Sequence, residues 1–123
     1  MPKLSIAQLA PCEERVPPVK YGGTELVVSN LTEELVKRGH KVTLIASGDS
    51  KTKAKLYSVF SQSLRNDKKI GADLKIRDAY KFIGIAEAVN FLKKHHFDII
   101  HNHLGWRLLP WQKLFSAPIV TTL

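Results

Sequence analysis

The chain is expected to fold as an α/β domain, an open parallel sheet sandwiched by helices. Three observations predict this. Short apolar runs alternate with longer stretches of helical period along the whole chain. The run Val42, Thr43, Leu44, Ile45, Ala46 is β-branched and apolar almost throughout, as a strand covered on both faces must be. A strand, a helix and a second strand also follow one another within about 45 residues, enough for one right-handed β-α-β unit.

The first strand is read over residues 4–10, a short apolar run stopped by Pro11. Residues 11–21 mix charges with Pro11, Pro17 and Pro18 and cannot be regular, so a long loop, the kind that carries function, leads to the first helix. From Thr24 onward Val27, Val28, Leu31 and Leu35 share one helical face, and Glu33, Glu34, Lys37 and Arg38 occupy the other. Glu33 with Lys37 and Glu34 with Arg38 are i,i+4 pairs worth about 0.2 to 0.5 kcal/mol each. Glu25 suits the positive end of the helix dipole, Lys37 and Arg38 the negative end, and Gly39 is a ready stop. The second strand, 42–46, empties into a loop of Ser47, Gly48, Asp49 and Ser50.

A third strand is read over 56–60 and an exposed polar connection over 61–71. A second helix follows over 78–96, with Phe82, Ile85, Ala86, Val89 and Leu92 facing inward. Residues 98–101 form a fourth strand, 106–114 a helix bent near Pro110, and 119–123 a last strand. That final run ends with neither turn nor polar tail, so the chain is read as a truncated or partial piece of a longer polypeptide.

Composition bounds the function. At 123 residues with 44% hydrophobic and 24% charged content, one globular domain is expected. No apolar run reaches the roughly 18 to 20 residues of a membrane span, and no cleavable signal precedes the first strand, so the cytoplasm is the expected location. Cys12 is the single cysteine, which excludes an intrachain disulfide and a cysteine-rich zinc site. The formal charge of +8 is concentrated between Lys51 and Lys81, where nine Lys or Arg face three Asp. A solvated basic surface is the plain reading, and contact with phosphate-bearing substrates or a peripheral anionic membrane is the functional one. Nucleic acid is not expected, because no aromatic residues interleave with these bases as single-strand binders require.

In an open parallel sheet, ligands bind beyond the carboxyl ends of the strands near the switch in strand order. The loop at 20–25, the loop at 47–50 and the residues Asn102, His103, Leu104 and Gly105 are expected to converge there. Gly22 and Gly23 let an anion approach the main chain at a helix start, and Lys20 adds a point charge. The alternative is an ordinary turn with Thr24 as helix cap. Neither the dinucleotide fingerprint nor the P-loop pattern is present. His101 and His103 would project to the same side of a strand, and no further ligands accompany them, so no metal is expected. His103 either contacts a polar substrate or is hydrogen-bonded at the sheet edge. Trp106 and Trp111 are read as core or interface residues, with a sugar platform as the alternative.

The strand, the proline-rich loop, the run Lys20, Tyr21, Gly22, Gly23, Thr24, Glu25, the helix ending Arg38, Gly39, His40, Lys41, Val42, Thr43, Leu44, and the later Phe97, Asp98, Ile99, Ile100, His101, Asn102, His103 resemble one family. It is the N-terminal, acceptor-side domain of group 1, family 4-like glycosyltransferases of the GT-B fold. The resemblance implies a Rossmann-like sheet forming one half of a two-domain enzyme. It also implies retaining transfer of a sugar from a nucleotide-diphospho-sugar to an acceptor, with no cofactor and no metal. Lys20, Gly22, Gly23 and Thr24 would meet the donor diphosphate; Tyr21, Glu25, Asn102 and Trp106 would face the acceptor. His103 would lie at the transferred sugar as the catalytic group, hydrogen-bonding a hydroxyl and helping to stabilise developing charge.

The family's donor-binding domain, with its paired glutamates, has no counterpart in residues 1–123, which make up a single domain. The chain alone is therefore not expected to transfer sugar. Its expected partners are the sugar donor and acceptor, a missing C-terminal domain or partner chain, and a second copy of itself. A stand-alone, non-catalytic sugar- or nucleotide-binding domain is the alternative.

Overall fold

Five strands form one parallel sheet in the computed structural model of the chain, which describes residues 2–122. They are β1 (Ser5–Leu9), β2 (Lys41–Ala46), β3 (Lys55–Ser58), β4 (Ile99–Asn102) and β5 (Ile119–Thr121). Their order is β3-β2-β1-β4-β5, so the chain builds outward from β1 in one direction and then returns to build in the other. The switch lies between β1 and β4, where the carboxyl ends of two neighbouring strands open a crevice. Register brings Gln8 beside His101 and Leu9 beside Asn102.

Alternation along the strands sends side chains to two separate cores. On one face α1 (Gly23–Lys37) presses Val28 onto Ala10, Val16, Leu44 and Ala46. On the other, α2 (Leu74–Lys94) packs Ile85, Ala88, Val89 and Leu92 against Ala7, Leu9, Ile45 and Ile100. Tyr57 and Phe91 stack at 3.9 Å between ring centroids and close the β3 side of this second core.

The first helix ends as its glycine predicts. Gly39 has φ of 90°, its N–H reaches the carbonyl of Val36, and the N–H of His40 reaches that of Leu35, a Schellman closure. Of the two expected ion pairs on this helix, Glu34 and Arg38 meet at 3.1 Å. Glu33 does not pair with Lys37; its carboxylate accepts hydrogen bonds from Thr52 Oγ1 and Lys53 N, tying the helix to the loop before β3.

The second helix differs from its sequence reading in start and in face. It begins at Leu74, capped by Asp73, whose carboxylate accepts from the N–H groups of Lys75 and Ile76. Phe82 and Ala86 point to solvent, and the buried stripe includes Gly84 and Ala88 instead. The helix is turned by roughly one residue because its small side chains admit a close approach. A Cβ on Gly84 would lie 2.9 Å from Phe60 Cε2. The turn also brings Lys81 inward to Glu13.

The connection at 61–71 is not wholly exposed. It contains a 3-10 turn, Leu64–Asn66, whose Leu64 is buried beneath the carbonyl of Cys12. Residues Gly105–Leu114 form a 3-10 helix, a geometry that tolerates Pro110 better than a long α-helix would. Neither tryptophan is core: Trp106 and Trp111 are both exposed. Leu123, the end of the expected last strand, lies outside the described residues. Among the described residues no helix is long and apolar enough to cross a membrane.

Candidate functional site

A cavity of about 690 Å³ opens at the switch point, bounded by the start of α1, the end of β4 and the inner face of α2. The start of α1 supplies Gly23, Thr24 and Glu25. Gly22 is the helix N-cap and, having no side chain, caps none of the first-turn N–H groups; the Glu25 carboxylate sits beside them and accepts from its own backbone N–H. The two glycines have different jobs. A Cβ on Gly22 would lie 2.9 Å from Pro18 Cβ and 2.9 Å from Glu25 Oε2, whereas a Cβ on Gly23 would meet nothing within 4 Å. Gly22 is a packing requirement, and Gly23 leaves room for a ligand.

His103 follows β4 and is 6% exposed. Its Nε2 donates to Gln8 Oε1 at 3.1 Å, and Gln8 Nε2 donates to Thr32 Oγ1 at 3.2 Å on α1. With Nε2 carrying the proton, Nδ1 keeps a lone pair, and that atom is buried with no hydrogen-bond partner. Burial, reinforced by His101 with its ring 4.0 Å away, pushes the His103 pKa down to about 4, so the imidazole is neutral. His101 is pushed down by burial and bonds Thr122 Oγ1 at 2.7 Å.

Glu25 is 7% exposed, and burial raises its carboxyl above the ordinary range. Its own backbone hydrogen bond works the other way, while the charges of Glu14 and Glu13 add to the rise. Across the cavity stand Glu13, Lys81 and Arg107. Glu13 is held in a nest of cations: Lys81, Arg65 at 3.4 Å and Arg77 at 4.0 Å. Three of the nine bases in the 51–81 segment are thus paired with acidic partners, Arg77 and Lys81 largely covered and Arg65 exposed, while Lys51, Lys53, Lys55, Lys68, Lys69 and Lys75 are exposed. Cys12 lines the same cavity, but burial, with the charge of Asp49, pushes its thiol up to about 12, which makes it a poor nucleophile.

The family model for Glycosyltransferase Family 4 matches residues 21–123. The chain belongs to Glycosyltransferase Family 4. The crystal structure of AviGT4, a glycosyltransferase involved in avilamycin A biosynthesis, superimposes with a TM-score of 0.65 at 23% identity, which establishes the likeness of fold. The match covers 96% of this chain and 31% of that one, so the chain spans about a third of AviGT4. A search of curated protein sequences gives no significant match. The sheet with helices on both faces is one half of the GT-B fold.

Within this family 4 chain the expected site residues divide. Gly23, Thr24, Glu25 and His103 come together at the first cavity, while Gly22 does not line it and packs against Pro18 instead. Lys20 and Tyr21 do not line it; both line a second, polar cavity behind the loop. Asn102 is fully buried and its polar atoms are committed. Its Nδ2 donates to Gly105 O at 2.9 Å and Thr121 Oγ1 at 3.2 Å, and its Oδ1 accepts from Leu104 N at 2.8 Å, so it locks the loop that carries His103. Trp106 is 60% exposed and outside the cavity; the guanidinium of Arg107 lies 5.1 Å from its ring centroid, and Arg107 is the residue that lines the wall.

The expected three-way convergence is also reduced to two loops. Residues 47–50 brace the long first loop from below, through Ser50 Oγ accepting from Val16 N at 2.9 Å, rather than lining the first cavity. Sequence reading missed Gln8, Glu13, Lys81 and Arg107. Gln8 carried a signal, a single amide inside an otherwise apolar strand; the other three carried none.

Proposed function

We infer that the first cavity is the acceptor-side wall of a sugar-transfer site. A nucleotide-diphospho-sugar gives up its sugar there with retention of configuration and without a metal ion, the remaining donor contacts coming from a second domain. The observation that carries this reading is the meeting, along one cavity, of the glycine-started first turn of α1 with His103, whose Nδ1 has no hydrogen-bond partner.

As the bond to the sugar breaks, negative charge builds on the departing diphosphate. Free N–H groups at a helix start offset such charge, and Lys81 and Arg107 add positive charge on the opposite wall. His103, held neutral and in one tautomer, accepts a hydrogen bond at Nδ1 from a sugar hydroxyl and so positions the ring. Glu25, its proton retained to higher pH, takes the acceptor side.

Amide NMR titration of the chain with nucleotide sugars differing in base and sugar tests the reading. Weak binding that moves Gly23, Thr24 and His103, and that His103→Ala reduces, is expected. No movement at these residues with any nucleotide sugar would overturn it, and robust turnover by the chain alone would overturn the need for a second domain.

A further inference from the structure

The second cavity, of about 540 Å³, shares no lining residue with the first. The two lie along the same segments of chain. Cys12 and Glu13 line the first and Glu14 and Arg15 the second; Lys20 and Tyr21 line the second and Gly23, Thr24 and Glu25 the first. Residues before and after Gly22, which lines neither, thus face two different cavities, and the second is open to solvent at Val19 and Tyr21.

Three cations, Arg15, Lys20 and Arg65, and two carboxylates, Glu14 and Asp49, line this second chamber. They are not equally available. Glu14 is paired with Arg65 at 3.2 Å, and Arg65 also reaches Glu13. Asp49 accepts from Ser47 Oγ at 2.6 Å and Ser63 N at 3.0 Å. Burial alone would raise its pKa, but these hydrogen bonds outweigh that and hold it ionised. Among the described residues Arg15 and Lys20 have no ion-pair partner, and Arg15 Nε is buried with no hydrogen-bond acceptor. An orphaned buried donor is costly, and an oxyanion placed against it removes that cost while completing the fork that a guanidinium offers to two oxygens. Two unspent positive charges favour a dianion over a carboxylate.

We propose that this second cavity binds a phosphoryl group, free phosphate or a phosphate monoester, between Arg15 and Lys20. The site is separate from the sugar-transfer reading and stands without it. Lys20 and Tyr21 immediately precede Gly22, so an anion held there also fixes the segment that leads into α1.

The test is an amide NMR titration of the intact chain at constant ionic strength with inorganic phosphate, a hexose phosphate and acetate. Both phosphates are expected to move residues 14–15, 19–21 and 63–66 and the Arg15 Nε–H signal saturably, with acetate clearly weaker. Tighter binding of the hexose phosphate assigns the group to a phosphorylated sugar, and equal binding assigns it to free phosphate. Arg15→Gln and Lys20→Gln should each weaken binding about tenfold, the worth of one charge-assisted contact, with circular dichroism and thermal midpoint unchanged. Shifts confined to Gly23, Thr24 and His103, acetate binding as well as phosphate, or unchanged affinity in both variants would overturn the proposal. None of these readouts uses a nucleotide sugar, so its failure is distinguishable from that of the transfer reading.

Discussion

His103 and Gln8 are joined by a hydrogen bond of 3.1 Å, imidazole Nε2 to amide Oε1, that ties the end of β4 to the middle of β1. Because Gln8 also reaches Thr32 on α1, three elements meet in one polar chain beneath the cavity. Gln8→Leu leaves both partners unsatisfied in a buried setting and is expected to cost about 1–3 kcal/mol of stability, read from denaturant unfolding. Gln8→Glu puts a carboxylate beside the imidazole and should raise the His103 pKa. An imidazole titration that does not move in this variant would exclude the contact.

The buried neutral imidazole makes stability depend on pH. His103 titrates at about 4 when folded, below the 6.5 of an unperturbed histidine, so between these values the unfolded chain binds a proton that the folded chain does not. Its contribution is complete above 6.5, falls as pH drops toward 4, and amounts to about 3 kcal/mol at one pKa unit per 1.36 kcal/mol. His103→Gln should flatten that part of the pH–stability curve; a slope unchanged in the variant refutes the assignment.

Adjacent glycines should respond oppositely to alanine. Gly22→Ala drives a methyl against Pro18, a rigid neighbour, and is expected to destabilise the chain by about 1–3 kcal/mol. Gly23→Ala meets open space at a helical position and should be neutral or stabilising by about 0.4–1 kcal/mol. The same methyl narrows the cavity, so nucleotide-sugar binding should weaken in the better-folded variant. Equal thermal midpoints for the two variants would contradict the packing difference.

The Cys12 thiol, pushed up to about 12, should alkylate slowly at neutral pH in the native chain and at the ordinary rate after denaturation. Rapid native labelling with iodoacetamide would show that the thiol is neither buried nor electrostatically opposed.

Asp73 sits outside the helix that periodicity marks, yet it caps α2 through two N–H groups. Asp73→Ala is expected to cost about 1 kcal/mol, and Asp73→Ser to recover most of it. A loss shared equally by Asp78→Ala would argue for the later helix start instead.

Much of the fold is written locally. The strand at Val42 to Ala46, the stop at Gly39 and the order of elements depend on residue type and spacing over a few positions, and each is present where periodicity places it. The face of α2 is not written that way. Phe82 is the larger hydrophobe, but Gly84 and Ala88 turn inward because the distance to Phe60 and the charge on Glu13 set the rotation, and both belong to distant segments.

The site divides along the same line. Sequence alone determined a parallel α/β sheet, a glycine-started helix after a long loop, and a histidine just past a strand that neighbours it, because these follow from local preference and the switch-point rule. Tertiary structure alone decided that Lys20 and Tyr21 turn away from Gly23, that Asn102 is spent on holding its own loop, and that Gln8 fixes the proton on His103. Those outcomes depend on hydrogen bonds and packing between residues up to 95 positions apart, which no local pattern encodes.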